Sequence, residues 1–581
     1  MRRLLVVLVA VAVAVAAPPV RGAAPDPATT SYATIGGDPQ AAYSRLRLLG
    51  GSKRVVREDL GARARTRRHV RRRSLLYFAQ LSDFQLADEE SPARAEALDV
   101  ADSPFLSAWR PQEALEPFTV DQVVRQVNRF DASPIRNQRR RRARLALTIT
   151  TGDSADNQQI NETKWVVRLL EGGRLDPNSG VEEAVCGRLA GPTGEAARYT
   201  GVQDDGDVLE SGRFYDPNRP SGTFAAWPRY PGLMDRAQQP FDTPGLDRPS
   251  YVALGNHDGT VQGNLHALQA LDAVARGCLK PLAVTGLSGL GALLTSPART
   301  IVVPPDPDRG FADRPAYKAL HATGRQADAH GFAYVDDAEL RASRGQAAYY
   351  AFSPRPGIRM IALNTVAEGD SLNSTGNLDD PQFRWLQREL AAAAERNELV
   401  ILFGHHPIRS LSNSAPDEDA GDCALRAVTG PGCDLDPRRS RPLHLGGDLQ
   451  ALLLASPNVI AYVAGHTHEN RITAFRRPNG GGFWGIETAS EIDWPIQSRL
   501  LELMDNRDGS LSIFGTLIDH GGMLATPAPG TPAAAFGPEA LAALGREMAY
   551  NDPQVGVEDG AEGAPRDRNV ELLLPDPRRS R

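Results

Sequence analysis

Short apolar runs that end in clusters of polar residues recur along this sequence. Five such runs lie at 75–81, 145–151, 251–254, 399–403 and 459–464, bounded by Gly or Pro. Their length and composition are typical of buried β-strands. The residues that follow them include Asp, Asn, Gln and His, side chains that can bind metal ions or transfer protons.

Helical patterns occupy several intervals between these runs. Residues 121–130 have helical spacing, and Asp380-Pro381 opens another helix with an acidic cap and a proline in its first turn. Strands that alternate with helices predict an α/β sheet core. Ligands of such sheets bind beyond the carboxyl ends of the strands, which is where all five polar clusters fall.

The later part of the chain predicts more strands and a second helical segment. Four antiparallel strands are expected at about 471–475, 482–486, 500–504 and 512–517. A helix is expected near 538–550, and the tail after Asn551 is expected to be loosely ordered or draped on the core. The intervals 172–249 and 259–346, rich in Gly, Pro and Asp, are interpreted as insertions that cover or shape a cleft.

The first residues have the pattern of an export signal. Arg2 and Arg3 precede an apolar run at 4–17 that is short for a membrane span, and small residues follow it. We predict a signal peptide over 1–24 and a secreted or extracytoplasmic protein, with general export favoured over the twin-arginine route. An uncleaved anchor is the remaining alternative, and no later stretch is long and apolar enough to span a bilayer.

Composition and cysteine count narrow the class of protein. The 581 residues include 65 basic and 71 acidic side chains, a net charge of −6 that gives no argument for nucleic-acid binding. An even number of cysteines in an exported chain suggests disulfides. Three pairings are possible, and we favour Cys423 with Cys433 in a local loop, which leaves Cys186 with Cys278.

The five polar clusters together supply the ligands of a metal centre. They hold carboxylates, a carboxamide, a glutamine and imidazoles but no thiolate, a donor set that suits Mn, Fe or Zn. These are more ligands than one ion needs. A carboxylate can bridge two ions roughly 3.5–4 Å apart, which is the arrangement of two-metal hydrolysis.

The five clusters are, in chain order, Asp83-x-Gln85, Gly152-Asp153-x-x-Asp156-Asn157, Gly255-Asn256-His257-Asp258, Gly404-His405-His406-Pro407 and Gly465-His466-x-His468. In this order they resemble the motifs of the calcineurin-like metallophosphoesterases, and the stretch at 81–94 is similar to exported actinobacterial members. The resemblance implies a four-layer α/β/β/α sandwich of two mixed β-sheets flanked by helices, with long loop insertions. It also implies a domain over 74–520, between an N-terminal extension at 25–73 and a C-terminal extension at 521–581.

The resemblance also assigns a role to each motif residue. It implies that Asp153 bridges two metals, with three further ligands for each. The first site would be completed by Asp83, Gln85 and His468, and the second by Asn256, His405 and His466. His405 is chosen over His406 because the family ligand lies two residues before the proline. Two residues would be catalytic: His257 would face the phosphate and serve the leaving oxygen, oriented by Asp258.

One motif position departs from the family pattern, which usually has His where this chain has Gln85. A carboxamide oxygen suits a hard ion better than a zinc-like one, which slightly favours Mn over Fe or Zn. Asp156 and Asn157 could orient ligands or cap the following helix. His406 could contact substrate, support His405 or pack.

The implied activity is hydrolysis of phosphomonoesters or phosphodiesters by metal-activated hydroxide. A poorly catalytic, metal-bound binding protein of the cell envelope is the alternative, supported only by Gln85. The expected partner is a small-molecule or envelope phosphoester. Substrate, metal identity and oligomeric state are not determined by the sequence.

Overall fold

The computed structural model describes most of the chain. The described residues are 29–65, 68–99, 108–137, 141–180, 199–203, 213–267, 269–284, 297–367, 373–416, 436–557 and 560–579. The predicted signal peptide and three of the four cysteines, Cys186, Cys423 and Cys433, lie outside them. Signal cleavage and the predicted disulfide pairing therefore stay predictions.

Strands run through the whole described chain. In chain order they are β1 (Ala33–Gly36), β2 (Arg47–Gly50), β3 (Val55–Arg57), β4 (Arg73–Leu81), β5 (Ala132–Arg136), β6 (Arg142–Arg144), β7 (Leu147–Thr150), β8 (Gly173–Leu175), β9 (Phe241–Thr243), β10 (Ser250–Val252), β11 (Leu279–Val284), β12 (Pro297–Val302), β13 (Tyr350–Arg355), β14 (Ile358–Ala362), β15 (Leu399–Phe403), β16 (Val459–Ala464), β17 (Arg471–Arg476), β18 (Gly482–Glu487), β19 (Gln497–Asp505), β20 (Ser510–Asp519) and β21 (Val570–Pro575). The five runs singled out in the sequence coincide with or overlap β4, β7, β10, β15 and β16.

Two mixed sheets form the centre of the fold. The first has seven strands in the order β10-β7-β4-β19-β20-β21-β3, parallel from β10 to β4 and antiparallel from β4 to β21. The second has six strands in the order β13-β14-β15-β16-β18-β17, parallel from β14 to β18 and antiparallel at its two edges. Gln80 of β4 donates to the Ala464 carbonyl of β16 at 2.9 Å, which ties the sheets together close to their carboxyl ends.

Helices flank these sheets. They are α1 (Arg68–Arg71), α2 (Glu116–Arg129), α3 (Ile160–Glu171), α4 (Leu233–Ala237), α5 (Asn256–Gly259), α6 (Gln269–Ala275), α7 (Arg314–His321), α8 (Asp337–Ala342), α9 (Asp380–Glu395), α10 (Gly446–Ala455) and α11 (Pro538–Asn551). The α9 start follows the sequence prediction, because Asp379 accepts from the Gln382 amide at 2.8 Å and Pro381 occupies the first turn. α2 packs on α3 and α11, and α9 and α10 contact the six-stranded sheet. The predicted fold of two mixed sheets flanked by helices is confirmed.

The tail after Asn551 departs from the prediction. Residues 570–575 are an apolar run that forms β21 inside the seven-stranded sheet, where it pairs antiparallel with β20 and parallel with β3. All but its last residue are buried, and this burial of apolar side chains stabilises the run as a strand. The proposed domain limits at 74 and 520 stay a prediction, although β3 and β21 lie outside them.

Among the described residues, no helix is both long and apolar enough to cross a membrane.

Candidate metal centre

The carboxyl ends of β4, β7, β15 and β16 bring the predicted ligands to one place. One oxygen each of Asp83 and Asp153 and one ring nitrogen of His405 lie within 4.8 Å of one another, and all three residues are buried. These side chains come from positions 83, 153 and 405 of the chain. The sheets, rather than sequence proximity, therefore assemble the centre.

Three side chains converge around the Asp153 carboxylate. The His405 Nε2 lies 3.1 Å from Asp153 Oδ2 and 2.7 Å from Asn256 Oδ1. The His466 Nδ1 lies 3.1 Å from the same Asn256 oxygen. Asn256 donates its amide to the Gly263 carbonyl at 2.9 Å, and this bond turns the amide oxygen toward the imidazoles. This group is the set assigned to the second site together with the bridging carboxylate.

The three remaining predicted ligands lie on the other side of the cluster. The His468 Nε2 is 3.4 Å from Asp83 Oδ1 and 3.4 Å from the Gln85 amide nitrogen. His405 Nδ1 is 4.0 Å from Asp83 Oδ1, which links the two halves. All seven side chains that the sequence proposed as metal ligands therefore lie in one cluster.

The backbone at these positions is unusual. Five of the seven have positive φ: Asp83 (55°), Gln85 (44°), Asp153 (52°), His466 (70°) and His468 (52°). Non-glycine residues in this region cost of order 1–3 kcal/mol each and gather at functional sites. Gly465 shows how tight the loops are, since a Cβ there would lie 1.9 Å from Ser82 Oγ and 2.4 Å from Asp83 Oδ2.

His406 lies beside the cluster, but both of its ring nitrogens have other partners. Nδ1 is 2.8 Å from Thr365 Oγ1 and Nε2 is 2.8 Å from the Ser374 carbonyl. Burial and the neighbouring His405 lower the pKa of His406 to about 3, so the ring is neutral. Although a His406 nitrogen lies close to His405 and His466, these bonds favour a supporting role for it.

The structure corrects the partner of His257. Its Nδ1 lies 3.1 Å from Asp156 Oδ1 and 2.9 Å from the Asp156 carbonyl. The Asp258 carboxylate instead accepts from the main-chain amides of Ser154, Ala155 and Gly255, at 2.9–3.0 Å. Asp258 sits in the first turn of α5, and its side chain turns back to cap that turn. Orientation of His257 by Asp258 is therefore wrong, and Asp156 orients it.

Asp493 completes the site, and sequence reasoning missed it. Its Oδ2 lies 2.6 Å from His468 Nδ1, and its Oδ1 lies 2.7 Å from Arg110 Nε. A carboxylate on the outer nitrogen fixes the tautomer and direction of a metal-binding imidazole. Asp493 follows no strand of the recognised pattern, so no motif marks it. His405 is held in the same manner by the Thr151 carbonyl, 2.9 Å from its Nδ1.

Opposite charges dominate the electrostatics of the cluster. Burial alone would lower the pKa of His405, but attraction by Asp153 and Asp83 raises it to about 9. Burial likewise opposes ionisation of Asp153, yet His405, His257 and His466 hold its pKa well below the ordinary value. The same attraction thus favours the charged carboxylate of Asp153 and the protonated imidazole of His405.

The donor set fits a pair of divalent ions. Among the described residues, Gln85 Oε1 is buried without a hydrogen-bond partner, a state that costs about 1–3 kcal/mol unless something binds it. Carboxylate, amide and imidazole donors are ligands of Mn, Fe or Zn, and the outer nitrogens of His405 and His468 are already engaged. His257 and His468 keep 16% and 17% of their side-chain surface exposed, whereas Asp83 and His405 keep 0%. The open face of the centre therefore lies between His257 and His468.

A family model agrees with the later motifs, and two known proteins show some similarity to this chain. Residues 204–470 match the model of the calcineurin-like phosphoesterase family. A sphingomyelin phosphodiesterase from Bos taurus is 42% identical over 62 residues, which cover 10% of this chain and 10% of that protein. The chain thus aligns with about a tenth of that relative. A dimetal phosphatase from Danio rerio is similar over 77% of this chain and 100% of its own, at 12% identity and a TM-score of 0.34.

The family match begins after the first two motifs. It includes Asn256, His405, His466 and His468 but not Asp83, Gln85 or Asp153. In the structure, Asp83, Gln85 and Asp153 lie next to the four ligands that the family match includes.

Proposed function

We propose, from the premise that residues 204–470 of this chain are part of a calcineurin-like phosphoesterase domain, that the protein hydrolyses phosphomonoesters or phosphodiesters with two divalent metal ions. The family assignment supports a metal-dependent phosphoric ester hydrolase. The observation that carries the proposal is the convergence of seven side chains on one buried cluster, with His257 beside it.

Seven residues would hold the metals. Asp153 would be shared, Asp83, Gln85 and His468 would serve one ion, and Asn256, His405 and His466 the other. When bound, such a pair polarises phosphoryl oxygens and lowers the pKa of water toward neutrality. The Asp493 and Thr151 contacts keep Nε2 of His468 and His405 directed into the cluster.

His257 is placed to serve the leaving oxygen. Asp156 holds its Nδ1, so Nε2 is the nitrogen that faces the open side of the centre, 3.9 Å from Asp153 Oδ2. A proton carried on Nε2 can pass to an oxygen that leaves phosphorus on that side. The main-chain amide of His257 also donates to Asp153 Oδ1 at 2.8 Å, which fixes the ring relative to the bridging carboxylate.

Several finer features belong to this proposal. The N-terminal pattern supports export to the cell envelope or beyond. Gln85 supports Mn as the ion of its site. The short similarity to a sphingomyelin phosphodiesterase supports including diesters among the substrates. Gln85 also keeps the envelope binding protein as a second candidate, which a lack of turnover in fully metal-loaded protein would favour.

Metal removal and replacement test the proposal directly. Purified protein is stripped with a chelator and assayed on an aryl phosphate and a bis-aryl phosphate, before and after addition of Mn²⁺, Fe²⁺ or Zn²⁺. Activity should vanish on stripping and return with at least one ion. Full activity in metal-free protein would refute the proposal.

A ligand variant and its matched control sharpen the test. Asp153→Asn should lower kcat by more than the roughly 10–100-fold expected for a residue that only supports a metal ligand. Asp121→Asn is the control, because Asp121 is also fully buried but pairs with Arg125 at 2.8 Å on α2, away from the cluster. Equal activity of the two variants would contradict the assigned role of Asp153.

A further inference from the structure

The segment that follows the first ligand motif contacts both halves of the centre. Its described residues, 88–99 and 108–116, are all buried although many of them are charged. Two arginines of this segment, Arg94 and Arg110, have side chains that are 0% and 7% exposed. Burying a guanidinium is costly unless it is fully paired, so the partners of these arginines indicate their purpose.

Arg94 is paired with three carboxylates. Its Nε lies 2.7 Å from Glu96, its NH2 2.7 Å from Glu113, and its NH1 2.7 Å from Asp156 Oδ2. The other oxygen of Asp156 holds His257 Nδ1 at 3.1 Å. Arg94 is therefore linked to the partly exposed imidazole of His257 through the Asp156 carboxylate.

Arg110 repeats this arrangement on the opposite side of the centre. Its Nε lies 2.7 Å from Asp493 Oδ1, while Asp493 Oδ2 lies 2.6 Å from His468 Nδ1. Gln112, two residues on, donates to the Ile492 carbonyl at 3.1 Å and so fixes the backbone next to Asp493. In both chains of contacts the arginine and the imidazole occupy different oxygens of one carboxylate.

We propose that Arg94 and Arg110 are positioning residues, which orient His257 and His468 through two relays, Arg94–Asp156–His257 and Arg110–Asp493–His468. This inference rests on the proposed function and assigns the described charged residues at 88–99 and 108–116 a task in it. Each arginine places one guanidinium nitrogen 2.7 Å from one oxygen of its carboxylate, and this charged contact holds that oxygen in place. The carboxylate in turn fixes the imidazole, so that Nε2 keeps one direction in each ring.

The alternative is a buried ion-pair network that only holds the fold together. The two explanations differ in what happens when the imidazole is absent. A residue that acts through His468 has nothing left to act on in His468→Ala, whereas a structural contribution persists in that background. Double-mutant cycles measure this difference.

The first cycle uses metal binding and needs no turnover. Mn²⁺ binding is measured on chelator-stripped protein for wild type, Asp493→Asn, His468→Ala and the double variant. Asp493→Asn should weaken Mn²⁺ binding about 10–100-fold in the wild-type background and leave the His468→Ala isotherm unchanged. Asp493→Glu, which keeps the charge but displaces it, should lose affinity in the same direction if Asp493→Asn does not fold.

The second cycle uses turnover. Arg94→Lys keeps the charge but not the fork, and should lower kcat in wild type while having no further effect in His257→Ala. Its Mn²⁺ isotherm should stay that of wild type, which separates this relay from the first. Asp121→Asn is the control in both cycles, and any effect it has should be the same in all backgrounds.

The outcomes distinguish failure of a relay from failure of the proposed function. Additive effects of Asp493→Asn with His468→Ala, or of Arg94→Lys with His257→Ala, would overturn the corresponding relay and leave the proposed function intact. A wild-type protein that binds no divalent metal would overturn the proposed function and the relays with it.

Discussion

Gly255 separates a buried strand end from the Asn256-His257 pair, and its lack of a side chain brings two loops of the centre together. A Cβ at this position would lie 2.1 Å from both the main-chain nitrogen and Oδ1 of Asp153. Ordinary van der Waals contact begins at 3.4 Å. In Gly255→Ala the two loops must therefore move apart by about 1.3 Å, the difference between these distances. One of the two atoms belongs to the backbone, so rotation of a side chain cannot relieve the clash.

The expected magnitude follows from that displacement. Moving a reacting or metal-binding group by about 1 Å costs roughly 100-fold in rate. Overpacking of this kind also costs about 1–3 kcal/mol of stability. Gly255→Ala should therefore fold with reduced stability, bind Mn²⁺ more weakly and lose about 100-fold in kcat, because Asp153 and Asn256 no longer approach each other.

Gly447→Ala is the matched control. A Cβ at Gly447 in α10 would meet nothing within 4 Å. This variant should keep wild-type kcat and metal affinity and gain up to about 1 kcal/mol in stability, since alanine is the better helix residue. Urea unfolding, Mn²⁺ titration and hydrolysis of an aryl phosphate are measured on both. Wild-type values for Gly255→Ala in all three assays would refute the close approach of these loops.

Three further variants test two other residues of the centre and a buried histidine pair outside it. His257→Ala should lower turnover and leave metal content largely intact, measured by elemental analysis; loss of the metals would show that His257 is a ligand. Gln85→His should shift metal preference from Mn²⁺ toward Zn²⁺ in a competition titration, because imidazole replaces a carboxamide oxygen; an unchanged preference would place Gln85 outside the coordination sphere. Burial lowers the pKa of both His321 and His330, which face each other at 3.0 Å. Below the ordinary value of 6.5 the unfolded chain therefore binds more protons than the folded one, and stability falls as pH falls. His321→Phe should reduce that slope by up to about 1.4 kcal/mol per pH unit, measured by urea unfolding across acidic pH; the wild-type slope in this variant would contradict the assigned protonation states.

The sequence predicted the parts of the site that follow strands. Buried strands end at a common edge of a sheet, so a polar cluster after each run predicts convergence without knowledge of the connections between them. The clusters that contain Asp83, Asp153, His405 and His468 were found in this way, their roles as ligands came from the family resemblance, and the structure brings them together. The β20–β21 pairing was missed because the apolar run at 570–575 follows a Pro- and Gly-rich stretch that favours disorder.

Contacts made by residues outside a motif could not be predicted. Asp258 is adjacent to His257 in sequence, and proximity favoured it as the partner of that ring. The start of α5 instead directs its carboxylate toward three backbone amides, that of Gly255 at the helix start and those of Ser154 and Ala155 in the loop after β7. Asp493 and Arg110 are isolated charged residues in sequence, and only the tertiary fold reveals that they pair at 2.7 Å.

The strained ligand loops are held by the same sheet that positions them. Beyond the end of β4, Asp83 donates its amide to the Gly152 carbonyl at 3.0 Å, and Gln85 donates to the Asp153 carbonyl at 2.9 Å. These bonds continue the β4–β7 ladder into the two loops, so that positive φ at Asp83, Gln85 and Asp153 is imposed by pairing already present in the protein chain. Such backbone conformations persist only where the surrounding structure over-determines them. The β4–β7 ladder and the buried arginine pairs are made by protein atoms alone, and these contacts hold the ligand loops in this conformation.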